Sequence, residues 1–246
     1  MCGISALFSP TEKFASKIES MNNAIKHRGP DDEGFYVYSL NTKNAVSFGG
    51  ASTSSEVLAF HGIDSSLGDH YRGANLVLGH RRLSIVDLSP MGNQPMLSHS
   101  GRYLMVFNGE IYNFEAIRSA LGVKQWQGHS DTEVMLEAIS KWGLNKALEH
   151  FNGMFAFALW DAKEETLTLA RDRFGEKPLY YYYHEGLFSF ASEIKSLEAN
   201  SSLELKIDRN ALTHQLETAY IPAPLSIYTH VKKLPPEGLL TFSKNK

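Results

Sequence analysis

The sequence holds a single cysteine, Cys2, in 246 residues. No internal disulfide is available, and a reducing, cytoplasmic compartment is the expectation. Long apolar runs are also missing, and none reaches the roughly 20 residues of a membrane span. The opening MCGISALFSP has no basic stretch followed by a long apolar one, so it does not read as a secretory leader. Neither sign of charge dominates: 24 Lys and Arg face 27 Asp and Glu, for a net charge of −3. Without a basic surplus there is no footprint for a phosphate backbone, and no nucleic-acid partner is expected. The ten histidines fall at no metal-ligand spacing, so no zinc site is expected. FGGAST (48–53) lacks the lysine of a phosphate-binding loop.

What is present is enough apolar material, 43% of residues, to bury a substantial core. CGISALF (2–8) reads as a short strand ended by Ser9-Pro10. Phe14, Ile18, Met21 and Ile25 recur at helical spacing, which predicts a helix over 12–26. HRGPDDEG (27–34) is a loop held by Arg28 and Asp31, because Gly29-Pro30 cannot continue a helix. Residues 41–75, rich in Gly, Ser and Asn, read as a mobile excursion with one hairpin. Strands at 75–80 and 103–108 and a helix from Asp131 to Trp142 follow. Two hairpins are predicted, Met154–Asp161 with Thr166–Arg171 and Leu179–Tyr183 with Leu187–Ala191. Helices at 193–198 and 208–218 precede a proline-rich stretch that reads as a linker or an edge. Strands surrounded by helices in this order predict an α+β layered fold.

Cys2 is the first chemical candidate. A lone free cysteine is often a small buried hydrophobe. Here, removal of Met1 would leave one residue carrying both a thiol and an α-amine whose pKa is about 7.7–8.0. Nucleophile and base would then sit together. Asn108-Gly109 reads locally as a turn, yet a side-chain amide and an adjacent backbone N–H also make a two-donor oxyanion hole. In GHRRLSIVDLS, alternation sends Arg81 and Arg82 to opposite faces. Arg81 is expected in solvent, and Arg82 in a pocket where it grips a carboxylate. Asp131 reads as a helix cap or first-turn residue, or as a receiver of a substrate ammonium. RDRFGEKPLYY (171–181) reads as structural, closing a hairpin or forming an interface.

Taken in order, MCGI (1–4), HRGPD (27–31), RLSIVDLS (82–89), NQPM (93–96), FNGEIYNF (107–114), SDTEV (130–134), FNGMFAFALWD (151–161), RDRFGEKPLYY (171–181) and SEIKSL (192–197) form a specific set. The set resembles the glutaminase domain of class II glutamine amidotransferases, nearest to the glutamine-dependent asparagine synthetases. The resemblance implies an N-terminal-nucleophile hydrolase fold: a four-layer αββα sandwich with two antiparallel sheets. It implies Cys2 as nucleophile, its own amine as base, and Asn108 and Gly109 as the oxyanion hole. Arg82 would hold the α-carboxylate of L-glutamine, and Glu110 and Asp131 its ammonium. The backbone around Ile85 and Val86 would line the pocket.

The resemblance further implies a glutaminase domain over 1–220 and a linker over 221–246 toward a synthetase domain. That domain would use ATP and magnesium, and its loop of Ser-Gly-Gly-x-Asp-Ser type is not in this sequence. No cofactor is expected in the glutaminase domain itself, and a homodimer stays open. Residues 41–75 are longer than the matching part of compact relatives. The expected reaction is hydrolysis of glutamine to glutamate and ammonia through a Cys2 thioester, with the ammonia passed on to make asparagine. Three alternatives stand beside it: the same glutaminase serving another acceptor, such as a sugar acid; a non-catalytic regulatory or docking domain; and an N-terminal-cysteine amidase acting on another amide, against which the Arg82 and Asp131 pair argues.

Overall fold

The computed structural model describes residues 1–9, 17–66 and 73–243. Twelve strands and seven helices are seen among them, in the order β1 (Gly3–Phe8), α1 (Ile18–Ala24), β2 (Asp32–Tyr38), β3 (Ala45–Phe48), α2 (Ser55–His61), β4 (Leu76–Arg82), β5 (Met96–Leu97), β6 (Tyr103–Ile111), α3 (Phe114–Leu121), α4 (Asp131–Trp142), α5 (Leu144–His150), β7 (Gly153–Asp161), β8 (Thr166–Arg171), β9 (Tyr180–His184), β10 (Leu187–Ala191), α6 (Ile194–Glu198), α7 (Arg209–Thr218), β11 (Val231–Lys233) and β12 (Leu239–Ser243). One sheet has seven strands in the order β11-β9-β10-β1-β4-β2-β3, and the other has five in the order β12-β8-β7-β6-β5. Every pairing is antiparallel.

Period-two patterning explains how the sheets stack. Ile4, Ala6 and Phe8 of β1, Leu76 and Leu78 of β4, Leu104 and Val106 of β6, and Ala156, Ala158 and Trp160 of β7 form one buried layer between the sheets. The alternate residues face outward. Leu7 and Val77 pack with Ile18 and Met21 of α1 and with Leu197 of α6. Met105, Phe107 and Ile111 pack with Ile117, Val134, Met135 and Ile139 of α3 and α4. Four layers result, helix–sheet–sheet–helix, as the resemblance implied.

Several expectations change. The strand predicted over 103–108 runs to Ile111, because a nine-residue ladder with β7 carries Asn108 and Gly109 through as paired residues. Asn108-Gly109 is therefore not a turn. Of the hairpin expected within 41–75 only one strand lies there, β3, which pairs back onto β2 ahead of the segment; the segment also holds a helix the sequence did not announce, α2, capped by Ser54 accepting from the Val57 N–H at 3.2 Å. The 12–26 helix is seen as Ile18–Ala24. Phe14 and the helix start expected at residue 12 lie outside the described residues, as does 67–72. Within 221–243, the stretch expected as a linker, β11 extends one sheet against β9 and β12 extends the other against β8.

Candidate active site

At one end of the sandwich the apolar stripes run out and polar side chains take their place. On β6 the inner stripe Leu104, Val106 continues to Asn108 and Glu110. On β4 it continues from Leu78 to His80 and Arg82, and on β1 the position before Ile4 in the same phase is Cys2. The gap between the sheets opens there into a cavity of about 100 Å³. All eight site residues expected from the sequence line it: Cys2, Arg82, Ile85, Val86, Asn108, Gly109, Glu110 and Asp131.

Cys2 sits just ahead of β1. The Leu83 N–H lies 3.5 Å from its Sγ, and Sγ lies 3.8 Å from the Leu83 carbonyl. Burial pushes the thiol pKa up, against the opposing pull of the Leu83 N–H. The thiol therefore stays protonated at neutral pH and needs a base beside it. The α-amine of Met1 is pushed down by burial, which favours its proton-accepting form. Arg28 fixes this end of the chain: Nε donates to the Cys2 carbonyl at 2.9 Å while Nη1 pairs with Glu193 at 2.9 Å. Hydrogen bonds from Arg28, His27 and Lys195 outweigh a burial penalty and hold the Glu193 pKa down to about 2. Asp31 accepts the Ser84 N–H at 2.8 Å, so both charged residues of HRGPD tie down the walls of the cavity.

Asn108 is 0% exposed, and neither atom of its side-chain amide has a hydrogen-bond partner. A buried amide without partners costs about 1–3 kcal/mol, which marks a group held ready for something else. The backbone beside it is arranged the same way. Phe155, opposite Gly109 in the ladder, spends both its N–H and its carbonyl on Asp172, on the β8 side. Gly109 is thus at a non-hydrogen-bonded position, and its amide points out of the ladder's other edge. Its neighbours on that edge are satisfied by side chains, Phe107 N–H by Gln94 Oε1 at 2.7 Å and Ile111 N–H by Asp131 Oδ2 at 3.0 Å. Any side chain at 109 would collide with the Met154 carbonyl, 2.2 Å from where a Cβ would lie.

Arg82 is buried, and Nη2 donates to the carbonyls of Asp87 and Ser89. This holds the loop after β4, whose Ile85 and Val86 edge the cavity with exposed side chains. Asp131 is not the helix cap; Ser130 is, accepting the Glu133 N–H at 3.2 Å. The Asp131 carboxyl, in the first turn, is pushed up to about 6 by burial, with Glu110 adding to the effect. A buried carboxyl of this kind ionises readily only when a cation arrives beside it. Arg81 is not in solvent: it is 2% exposed and pairs with Glu33 at 2.9 Å.

Several cavity residues carry no role in the sequence reading, and three of them stand out. Gln94 lies in the quoted NQPM but was given no role; it bridges the Phe107 N–H and Thr132 Oγ1. Lys177, 5% exposed, comes from RDRFGEKPLYY, which had been read as structural. Asp172 folds that segment back by accepting the N–H groups of Phe174, Glu176 and Lys177. Met154 shares the cavity wall and carried no chemical signal in the sequence.

Comparison with known proteins places this geometry in context. The sequence pattern of the family described as "Glutamine amidotransferase domain" matches residues 1–49 and 40–246. Asparagine synthetase [glutamine-hydrolyzing] 1 of Bacillus subtilis is 34% identical over 249 residues, covering 98% of this chain and 33% of the relative. Asparagine synthetase [glutamine-hydrolyzing] 3 of the same organism is 31% identical over 253 residues, covering 100% and 35%. The chain thus spans about a third of the length of these relatives. Among solved structures, the glutamine phosphoribosylpyrophosphate amidotransferase of B. subtilis, complexed with ADP and GMP, superposes with a TM-score of 0.66 at 18% identity. The match covers 99% of this chain and 49% of that one, and shows the shared fold.

Proposed function

The chain belongs to the glutamine amidotransferase domain family, and from that premise we propose that it hydrolyses L-glutamine to glutamate and ammonia at Cys2. With Met1 removed, the α-amine of Cys2 takes the thiol proton, and Sγ attacks the side-chain carboxamide carbon. The carbonyl oxygen becomes an oxyanion facing Asn108 Nδ2 and the Gly109 N–H. The intermediate collapses, the protonated amine gives its proton to the leaving nitrogen, and ammonia departs. Water then adds to the thioester, and glutamate leaves as the thiol is restored. Arg82 receives the substrate α-carboxylate, while Glu110 and Asp131 receive its ammonium. The loop around Ile85 and Val86 edges the pocket.

The observation that carries this reading is the Asn108 amide, wholly buried, without partners, and lining the same cavity as the one thiol. A docking domain has no use for that cost. Met1 lines the cavity as well, so its retention would both block the amine and obstruct the pocket. The names of the relatives support a synthetase domain as partner, making asparagine with the released ammonia; the use of ATP and magnesium by that domain is part of the proposal. The test is direct. Met1-free protein should release glutamate from glutamine, and a glutamine-mimicking electrophile should label Cys2 alone. Glutamate release by Cys2→Ala, or labelling elsewhere, overturns the mechanism. Equal activity in a sample shown by intact mass to retain Met1 overturns the role of the amine.

A further inference from the structure

Three side chains that do not line the cavity, from separate segments, converge at the edge of the seven-stranded sheet. His184 ends β9, Glu204 lies between α6 and α7, and His230 directly precedes β11. One imidazole nitrogen from each histidine and one carboxylate oxygen all lie within 4.8 Å of one another. The two imidazole rings stack, with centroids 3.9 Å apart and 17° between planes. His184 Nε2 is 3.7 Å from Glu204 Oε2. Lys206 pairs with the other carboxylate oxygen, Oε1, and so orients the group with Oε2 toward the histidines.

The arrangement has a single scaffold, the buried Tyr182. Its ring meets the His184 ring edge-on at 6.5 Å and the His230 ring edge-on at 6.2 Å. Its hydroxyl accepts the backbone N–H of Glu204 at 3.2 Å. The ladder adds backbone constraints, pairing Val231 with Tyr182 and the Tyr183 N–H with the His230 carbonyl at 3.2 Å. Tyr182 thus lies against both imidazoles and holds the backbone of the third residue, which keeps the three segments together.

We propose that His184, Glu204 and His230 form a zinc(II) site that clips the segment before β11 to the end of β9. Two imidazoles and a carboxylate are a ligand set that zinc accepts, and one that serves calcium or magnesium poorly. Bonds of about 2.0–2.2 Å put neighbouring tetrahedral donors roughly 3.3 Å apart. Imidazole nitrogens bind in the plane of their ring, so the two stacked rings must turn out of their stack to meet one ion, and all three side chains are at least partly exposed. The fourth position goes to water or to Glu185, whose Oε1 is 3.9 Å from His184 Nε2. No metal-ligand spacing announces the site, because its ligands lie in three separate segments and share no local motif.

The test uses the full chain, stripped with a chelator and titrated with zinc sulfate by calorimetry, with metal content measured after dialysis. One zinc per chain is expected, with a melting temperature that rises on zinc addition. His184→Gln, His230→Gln and Glu204→Gln should each weaken binding at least 30-fold and abolish the thermal shift. Zinc-free melts establish that each variant tested is folded. Cys2 is the competing ligand, so Cys2→Ala must keep the binding. Failure of the parent chain to take up one equivalent at micromolar zinc overturns the site. Binding that survives in both histidine variants, or that is lost in Cys2→Ala, overturns it equally.

Discussion

Cys2 and Asn108 reach one cavity from opposite sheets: each continues the inner stripe of its own strand beyond the last apolar residue, Ile4 on one side and Val106 on the other. The proposed nucleophile and the proposed oxyanion donor therefore share no strand, no hairpin and no sheet. Their relation is set by the spacing of the two layers.

The sharpest consequence concerns Asn108. Its amide is unpartnered in the free protein, so it acts only when charge develops on the substrate oxygen. Asn108→Ala should lower kcat by roughly 100- to 1,000-fold, about 3–4 kcal/mol, with KM nearly unchanged. Because an orphaned buried amide is removed, the melting temperature should hold or rise. Steady-state kinetics beside a thermal melt checks both. A destabilised variant with normal kcat would make Asn108 a structural residue.

Asp131 predicts a pH dependence. Its carboxyl is held near pH 6 in the folded chain, against an ordinary value of 3.8. The native state binds this proton more tightly than the unfolded state, so the group's contribution to stability declines as pH rises from about 4 through 6. Asp131→Asn carries no such proton. Relative to the parent, it should gain up to about 3 kcal/mol between pH 4 and pH 8 in denaturant titrations. The same variant should lose the rise of kcat/KM for glutamine through about pH 6, where the parent carboxylate ionises to receive the ammonium. A pH profile that Asp131→Asn leaves unchanged would assign that ionisation elsewhere.

Arg82→Lys should raise KM for glutamine about 10- to 100-fold with a smaller effect on kcat. A lysine keeps the charge but not the fork that holds the Asp87 and Ser89 carbonyls while facing a carboxylate. An unchanged KM would mean that other groups bind the α-carboxylate.

Arg28→Ala removes the bond to the Cys2 carbonyl and one of the partners of Glu193. A loss of about 1.5–3 kcal/mol in stability is expected. A fall in kcat should accompany it, since the thiol loses the anchor on its own residue. Full activity in the folded variant would show that β1 alone positions Cys2.

Much of this was legible in the sequence. Alternating apolar residues gave most strands; the position of Cys2 and the local motifs around Arg82, Asn108, Gly109 and Asp131 raised candidates, and the family resemblance joined them into a set that does line one cavity. What was hidden depends on distant partners. Asn108-Gly109 prefers a turn locally, but the nine-residue ladder with β7 overrides that preference. Arg81 looked solvent-facing because Glu33, its buried partner, comes from β2. Lys177 enters the cavity only because Asp172 curls its segment inward. The last strands were hidden by the prolines that flank them, Pro222, Pro224, Pro235 and Pro236, and their pairing is visible only once β8 and β9 are in place.

Those last two strands have a mechanical meaning. β11 belongs to one sheet and β12 to the other, and only residues 234–238 lie between them. That crossing is itself fastened, Leu234 N–H to the Leu179 carbonyl at 2.9 Å and Glu237 N–H to the Asp172 carbonyl at 2.9 Å. The chain thus forms a taut strap across the open side of the sandwich. If one layer slid over the other, it would have to shear the registers of Val231 with Tyr182 and Leu239 with Ala170 together. A thiol carried by one layer and an amide carried by the other are kept in alignment by a brace at the far end of the chain.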